Sequence, residues 1–539
     1  MLLRSSLSSQ SILEHLVALT ERSPRIAGDV PIVHQALQAL GVLDQSTGSW
    51  SESATLAKLP WGPTPADEFS AHLPADLEGP WPSEGTLVPG FVPRVSGIPE
   101  DERQLHRTVT VHRYMKQLAT LVPVVAARAL REPGLRPISD ARFAALINET
   151  SFSQFMVELE PRDHQIFASH MRAHPAPADA WVKIDSTIID SSATLPGVFA
   201  APTRTLLRYD AERETFEPLA IHFEDSPSET FTPGDGAAWE LARYFVLKGL
   251  AYLLVLVFHP RLHLPGDVVN AVTRTVLGTE HRVHQVLAPH LRYALGLNEA
   301  VINHRRSVLH NSQRELYTPF PFETDAIHRG ALAGFRGLPG RTAYPEYRWQ
   351  RMLLDPRTPY GRYRRDWFAN VEQFVAESLP ANASQDPALA RWADSIAAWV
   401  PGFPGARAIR QPGALVEALT TFIAHTGLFH TADHHSYGKL DAAEVPWRLR
   451  VAPPNRVRPS QLDYATLVST EDKFRHLLAQ PMFFESTVVE SIDELRYDFG
   501  PDEDHAACTR FARRMRSLDQ RWAGSSFPSS AELATSVQS

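Results

Sequence analysis

Two pairs of histidines, far apart in the chain, are the residues whose type and spacing could do chemistry. The members of each pair, His259/His263 and His430/His434, lie four residues apart, so a regular helix would place both rings on one face. If the two helices packed together, four imidazole nitrogens could converge on one ion. Such ligands, without porphyrin or thiolate, suit a redox-active transition metal. The spacing therefore predicts a metal-dependent oxygenase site.

A third pair with the same spacing, His170/His174, shows that spacing alone is a weak signal. With 23 histidines in 539 residues, about one such pair is expected by chance. His170/His174 runs into the proline-rich text HPAPADA, and we interpret it as the accidental pair. His259 and His430 instead end the apolar runs LAYLLVLVF and FIAHTGLF, which predicts burial. A buried imidazole needs a partner, and either a metal ion or a neighbouring polar group could supply it.

Bulk composition excludes several classes of protein. Hydrophobic residues make up 43% and charged residues 21% of the chain, which favours a large folded core over global disorder. The net charge of -8 argues against a nucleic-acid partner, which requires a concentrated basic face. The single cysteine, Cys508, excludes an intramolecular disulfide and a thiolate metal site. The longest apolar run, Leu250 to Phe258, is about half of the ~20 residues of a membrane span. We therefore expect a cytoplasmic protein without a transmembrane segment.

The chain is predicted to be mainly α-helical with a small β element. Residues 1–100 are proline-rich and predict an extended arm. Residues 101–539 would form the main domain. Within them, helix-like apolar spacing covers about 105–130, 237–311 and 412–440, whereas 195–223 contains short β-like runs separated by turns.

Several segments of this domain, read together, resemble the catalytic domain of lipoxygenases. The segment FEPLAIHFEDSPSETFTPGDGAAWELARYFV is similar to the family's entry into its metal-binding helix, and FAAPTRTLLRY to a preceding strand. The segment HRVHQVLAPHLRYALGLN, residues 281–298, is similar to the family's HPIFKLLIPHLRYTLEIN. FIAHTGLFHTADHHSYG and the tail LATSVQS resemble two further ligand-bearing segments. The resemblance covers about residues 195–539. It implies the large helical catalytic domain of the family without the N-terminal β-sandwich of plant and animal members.

The resemblance also implies a ligand set, with two departures from the family. His259, His430 and His434 fall on ligand positions, and the α-carboxylate of Ser539 falls where the family's terminal isoleucine binds iron. The other helical ligand should fall at position 254, which is Leu254 here. We infer that His263 replaces it, because a spacing of four suits a regular helix, whereas the family's spacing of five requires a π-type turn. Pro260 would kink this helix unless a new helical segment starts there.

The chemistry implied by the resemblance is oxygenation of an apolar substrate. An iron ion, or alternatively manganese, would support hydrogen abstraction from a polyunsaturated or natural-product substrate, followed by insertion of dioxygen. Asn270, Gln285, His425 and His435 are candidates for polar residues that support the ligands, although ordinary helix-surface roles are an alternative for each. Leu254 and Val301 are expected to line the substrate pocket. Because Leu254 cannot bind metal, a metal-free lipid-binding protein with the same fold is the alternative function.

Overall fold

The structure is a computed structural model that describes residues 76–87, 90–100, 102, 124–132, 134–292, 294–296, 309, 320–338, 341–352, 355–483, 490–500 and 505–537. Most of the predicted arm, as well as Val301 and Ser539, lies outside these residues. The described part is mainly helical with two small sheets, which confirms the predicted fold class.

The helices form the bulk of the fold. They are α1 (Asp140–Asn148), α2 (Pro161–Ile166), α3 (Ala168–Ala173), α4 (Ala237–Tyr252), α5 (His259–Val276), α6 (Arg282–Leu287), α7 (Thr324–Arg336), α8 (Pro359–Ser378), α9 (Pro387–Ala397), α10 (Ala414–Ile423), α11 (His430–Gly438), α12 (Thr470–Phe483) and α13 (Ala506–Trp522). Two π-helical segments, Leu253–Phe258 and Ala424–Phe429, join α4 to α5 and α10 to α11.

Two antiparallel sheets flank the helices. The strands are β1 (Trp81–Leu87), β2 (Gly90–Ser96), β3 (Met156–Val157), β4 (Trp181–Asp185), β5 (Thr203–Asp210), β6 (Thr215–Phe223) and β7 (Glu229–Phe231). Strands β3 to β7 form one sheet in sequence order, and β5 and β6 lie in the region where short strands were predicted. The hairpin β1–β2 lies in the proline-rich arm and reaches α5, where the Thr275 hydroxyl donates to the Pro80 carbonyl at 2.7 Å.

The longest helix of the described chain runs without interruption through α4, the π segment and α5. This first His helix, Ala237–Val276, has the length and apolar composition of a membrane span, but 94% of its most apolar stretch is buried inside the fold. Burial on all sides explains why its sequence shows little polar face. At its start, Asp140 accepts hydrogen bonds from Trp239 Nε1 at 2.7 Å and Arg243 Nη1 at 2.8 Å. The helix therefore belongs to the core and its position is fixed by α1.

The second His helix, Ala414–Gly438, has the same design and packs against the first. It consists of α10, a π segment and α11. The helices approach closely at Gly266, where a Cβ would lie 2.8 Å from Thr426 Cγ2. A side chain at position 266 would therefore push the helices apart, and glycine permits the short separation.

Candidate metal centre

The two His helices bring four imidazole rings together. The ring centroid of His430 lies 4.6 Å from that of His259, 4.6 Å from that of His263 and 4.4 Å from that of His434. Across the helices, His430 Nε2 lies 2.8 Å from His263 Nε2, and His434 Nε2 lies 3.1 Å from His259 Nε2. Each histidine pair therefore meets the other through Nε2 atoms. We call these four residues the histidine cluster.

Local helix geometry explains how each pair faces the same point. In both His helices a π segment ends immediately before the first histidine, and the pair itself lies in the α-helix that follows. The spacing of four thus falls in regular helix, as expected for His259 and His263. Pro260 lies in the first turn of α5, directly after the π segment. A π turn is nevertheless present immediately before each pair. Such turns are frequent at functional sites.

Leu254 lies one π turn before His259. The backbone N–H of His259 donates to the carbonyl of Leu254, which is the five-residue hydrogen bond of a π-helix. The Leu254 side chain is buried in the apolar core. The resemblance to lipoxygenases implies a metal ligand at position 254, where this chain has an apolar side chain. The next histidine of the helix after His259 is His263, and it contacts His430.

The surroundings of the first histidine pair, His259 and His263, favour neutral imidazoles. Burial, together with the nearby rings of His263 and His434, holds the pKa of His259 well below its usual range. Burial lowers the pKa of His263 to about 4. Neutral imidazole is the form that binds metal. In each short Nε2–Nε2 contact, either one ring donates a proton to the other or both lone pairs face a shared cation.

The donor set fits a transition metal. Three potential metal ligands converge among the described residues. They are His259, His430 and His434, whose ligand atoms lie within 4.8 Å of one another. His263 adjoins this group through His430. Two nitrogens bound at right angles, each about 2.1 Å from one ion, would lie about 3.0 Å apart. The two cross-helix distances of 2.8 and 3.1 Å agree with that separation.

The end of the described chain runs along the second His helix. The backbone N–H of Ala534 donates to Thr431 Oγ1 at 3.2 Å, next to His430. His290, from the PHLRY segment, contacts the carbonyl of Thr535 through Nδ1 at 2.7 Å. At Gly427, a Cβ would lie 2.9 Å from the carbonyl oxygen of Ala534. Val537, the last described residue, is buried. Ser539 itself lies outside the described residues, and its role as a ligand stays a prediction.

The four predicted supporting residues take different places. Asn270 donates to the Leu291 carbonyl at 2.9 Å and accepts from Arg274 at 2.8 Å, so it fixes the turn after α6. Gln285 lies half-buried on α6. His435 faces the backbone of Ser526, near Glu532. His425 lies in the second π segment, 5.4 Å from the ring of Trp349.

His170 and His174 lie apart from the cluster. His170 is on the short helix α3, half-buried, and His174 is the exposed residue that ends this helix. Burial and the neighbouring His174 lower the pKa of His170. Within the described chain, no converging group of ligands includes either residue. The accidental origin of this spacing stays a prediction.

A buried polar group beside the cluster was not predicted. Asp433 lies between the two histidines of α11 and accepts hydrogen bonds from Tyr360 and, at 3.4 Å, from Gln154. Arg364, fully buried, lies 3.9 Å from the same carboxylate, and its guanidinium lies 3.8 Å from the centroid of the Phe429 ring. Burial raises the pKa of Asp433 to about 6. An acidic residue inside the HTADHH motif was the available signal, but its partners on α8 could not be inferred from spacing.

Comparison with solved structures identifies the fold. No protein-family profile and no curated protein sequence matches the chain. The structure is similar to a LOX variant, at 15% identity over 85% of this chain and 80% of that chain, with a TM-score of 0.65. It is similar to manganese lipoxygenase of Gaeumannomyces graminis, at 18% identity over 86% and 94%, with a TM-score of 0.59. It is also similar to coral 8R-lipoxygenase, at 15% identity over 82% and 75%, with a TM-score of 0.60. The chain therefore has a lipoxygenase-like fold.

Proposed function

We propose that this protein is a non-heme oxygenase of lipoxygenase type that uses iron or manganese and acts on an apolar substrate. The observation that carries the proposal is the meeting of His259, His263, His430 and His434 across two core helices. The lipoxygenase-like fold supports it, and one structural relative is named as a manganese lipoxygenase. A cytoplasmic location and dioxygen as co-substrate are part of the proposal.

His259, His430 and His434 would hold the metal, and His263, which contacts His430, is a fourth candidate ligand. When bound, it would supply one-electron redox chemistry between the +2 and +3 states. The residues around it have three tasks. Burial keeps the imidazoles of His259 and His263 in the neutral form that binds metal. The apolar wall that includes Leu254 excludes water from a radical reaction and suits an apolar substrate. The two π segments direct the histidine pairs toward each other.

Metal analysis of the purified protein tests the proposal. We expect near-stoichiometric iron or manganese in the wild type and loss of it in His259→Ala and His430→Ala. A His170→Ala/His174→Ala double variant is the matched control and should keep its metal. Oxygen uptake, with formation of a conjugated diene from linoleate or arachidonate, would identify a fatty-acid substrate. Oxygen uptake only with other apolar compounds would point to a retuned pocket.

One outcome would favour the alternative function. If the wild type contains no metal, and both alanine variants keep its stability and lipid binding, the protein is a metal-free lipid-binding member of this fold. This alternative rests on Leu254, an apolar residue at the position where the resemblance to lipoxygenases implies a metal ligand.

A further inference from the structure

A cavity lies at the C-terminal end of α13, where the chain turns back toward α8. Its volume is about 170 Å³, which is room for several water molecules. The residues that line it include Trp367, Asp519, Trp522, Phe527 and Glu532. The turn that follows the helix, residues 523–526, is exposed. A small ligand can therefore reach the cavity from solvent.

The aromatic residues of the cavity wall belong to one cluster of rings. The centroids of Trp522 and Phe527 lie 5.7 Å apart, and both rings pack on the buried ring of Tyr363, at 5.6 and 5.0 Å. Tyr363 lies in turn 6.4 Å from Trp367. The indole N–H of Trp522 donates to Asp366 at 3.1 Å, which holds this ring in place. Aromatic rings fixed in this way favour a large, weakly hydrated cation.

Two carboxylates line the cavity beside these rings. Asp519 accepts hydrogen bonds from the backbone N–H of Ser530 at 2.8 Å and from its hydroxyl at 2.5 Å. Glu532 accepts from the backbone N–H and the hydroxyl of Ser529, both at 2.9 Å. All four donors belong to serines, which are uncharged. These hydrogen bonds therefore orient the two carboxylates without cancelling their charge.

Negative charge prevails at this end of α13. The helix itself adds the partial negative charge of its last carbonyl groups. Arg521, the basic residue of the last turn, pairs with Asp366 at 3.1 Å. Lys439 is exposed. Although burial opposes them, hydrogen bonds and the charges of His435 and Lys439 lower the pKa of Glu532, so this group is a carboxylate at neutral pH. The cavity therefore favours a cation.

We propose that this cavity binds a quaternary ammonium group. Trp367, Trp522 and Phe527 would surround its methyl groups, and Asp519 and Glu532 would supply the opposite charge. A quaternary ammonium group has no N–H to donate, which suits carboxylates that already accept hydrogen bonds from serines. A hard metal ion would instead need oxygen ligands in place of the rings. The site lies outside the proposed metal centre and is independent of the proposed oxygenase function.

Calorimetric titration of the full-length protein with three probes tests the site. Choline carries the quaternary ammonium group, the alcohol with a tert-butyl group in its place has the same shape without the charge, and ethanolamine carries a primary ammonium group. We expect choline to bind more tightly than ethanolamine and at least about tenfold more tightly than the neutral alcohol. Undetectable binding of choline, equal affinity for choline and the neutral alcohol, or tighter binding of ethanolamine would overturn the proposal.

Substitutions at two positions locate the binding. Trp522→Phe keeps a smaller ring and Trp522→Leu removes the ring. Because tryptophan attracts cations better than phenylalanine does, choline affinity should fall in the order wild type, Trp522→Phe, Trp522→Leu, by about three- to tenfold in total. Glu532→Gln keeps an acceptor for Ser529 and removes the charge, and it should weaken choline binding about threefold. Wild-type choline affinity in both Trp522→Leu and Glu532→Gln would overturn the proposal.

Glu377→Gln is the matched control. Glu377 on α8 pairs with Arg510 and Arg514 in the first half of α13, so this variant removes a carboxylate from the same pair of helices, away from the cavity. It should bind choline as the wild type does, even if its thermal midpoint is lower. Choline affinity reduced in Glu377→Gln as much as in Glu532→Gln would overturn the proposal, because the loss would then follow overall charge or stability.

Two further measurements separate this site from the metal and identify the source of the group. Choline binding needs no turnover, and His259→Ala should keep it, so a failure of the oxygenase proposal would leave this test intact. Retention of the protein on phosphatidylcholine vesicles, reversed by choline, would support the site and place the group on a lipid headgroup. Choline binding without such retention would support it and place the group on a free small molecule.

Discussion

Two buried polar regions of this protein differ in whether their charged side chains have partners of opposite charge. In the larger sheet, Lys183 on β4 lies 2.5 Å from Asp163 and 3.2 Å from Asp185, and all three side chains are fully buried. Arg204 on β5 and Glu160 complete this sheet charge cluster. Every charge in it faces an opposite charge. Around the histidine cluster, by contrast, imidazole rings face each other across the two His helices, and burial lowers the pKa of Arg261 without an opposing carboxylate.

The two buried arginines show the difference most directly. Burial alone would lower the pKa of both. At Arg204 the carboxylates of Asp185, Glu224 and Asp163 outweigh burial and raise the pKa. At Arg261 burial prevails and the pKa is lowered. A completed charge network needs nothing further and acts as structure. A desolvated cation without a counter-charge keeps its desolvation cost.

The largest expected effect comes from breaking the completed network. Lys183→Met would remove one of the two cations that Asp163, Asp185 and Glu160 share, and would leave Arg204 as the other. Removing one partner of a buried ion pair typically costs about 3–5 kcal/mol. We expect a loss of this size in the free energy of unfolding, measured by urea denaturation. Lys439→Met, at an exposed position, is the control and should stay within about 0.5 kcal/mol of wild type. A similar small change at Lys183 would mean that the network is not what stabilises the sheet.

The same network predicts an acid-dependent loss of stability. Although burial opposes it, hydrogen bonds from Thr342 and the contact with Lys183 lower the pKa of Glu160 from 4.5 to about 2. Because the folded value is the lower one, this stabilisation is complete above pH 4.5 and is lost as the pH falls toward 2. It amounts to at most about 3 kcal/mol. In Glu160→Gln this pH-dependent part should disappear, as measured by denaturation at several pH values. The exposed Glu280→Gln variant should follow the wild-type curve, and an unchanged curve for Glu160→Gln would contradict the assignment.

The sequence was informative where chemistry is carried by short motifs. Spacing and apolar flanks predicted that His259, His263, His430 and His434 lie in core helices, and the resemblance to lipoxygenases predicted the fold. The π segments could not be predicted, because LAYLLVLVF is apolar on every side and shows no period. The individual contacts of His263 with His430 and of His259 with His434 depend on how two distant helices pack.

Features made by residues far apart in sequence were missed for a related physical reason. The sheet charge cluster combines the start of α2 with β4 and β5, and the contacts of Arg261 with Tyr347 and of His425 with Trp349 join the His helices to a segment after α7. From its local sequence alone, each of these residues would be predicted to be an ordinary surface charge or an aromatic side chain of the core. Only the packing of elements shows which charges have partners. Val301, Ser539 and the boundary at residue 100 stay predictions.

The smallest expected effect concerns two buried threonine hydroxyls on the second His helix. One takes part in a hydrogen bond and the other does not, among the described residues. Thr431 Oγ1 accepts the backbone N–H of Ala534 at 3.2 Å, whereas Thr420 Oγ1, equally buried, has no partner among the described residues. Valine has nearly the same shape as threonine. Thr431→Val would leave a buried N–H unsatisfied and should cost about 1–2 kcal/mol. Thr420→Val should be neutral or slightly stabilising, because it removes a buried hydroxyl that gains nothing.

Equilibrium denaturation of both valine variants, with metal content measured in parallel, completes the comparison. If Thr431→Val also lowers the metal content while Thr420→Val does not, the C-terminal segment helps to position the site, which is the result expected if the carboxylate of Ser539 is a ligand. If both variants lose the same stability, pairing is not what distinguishes the two hydroxyls. The expected difference in stability between paired and unpaired buried polar groups would then not hold on the second His helix, which carries His430 and His434.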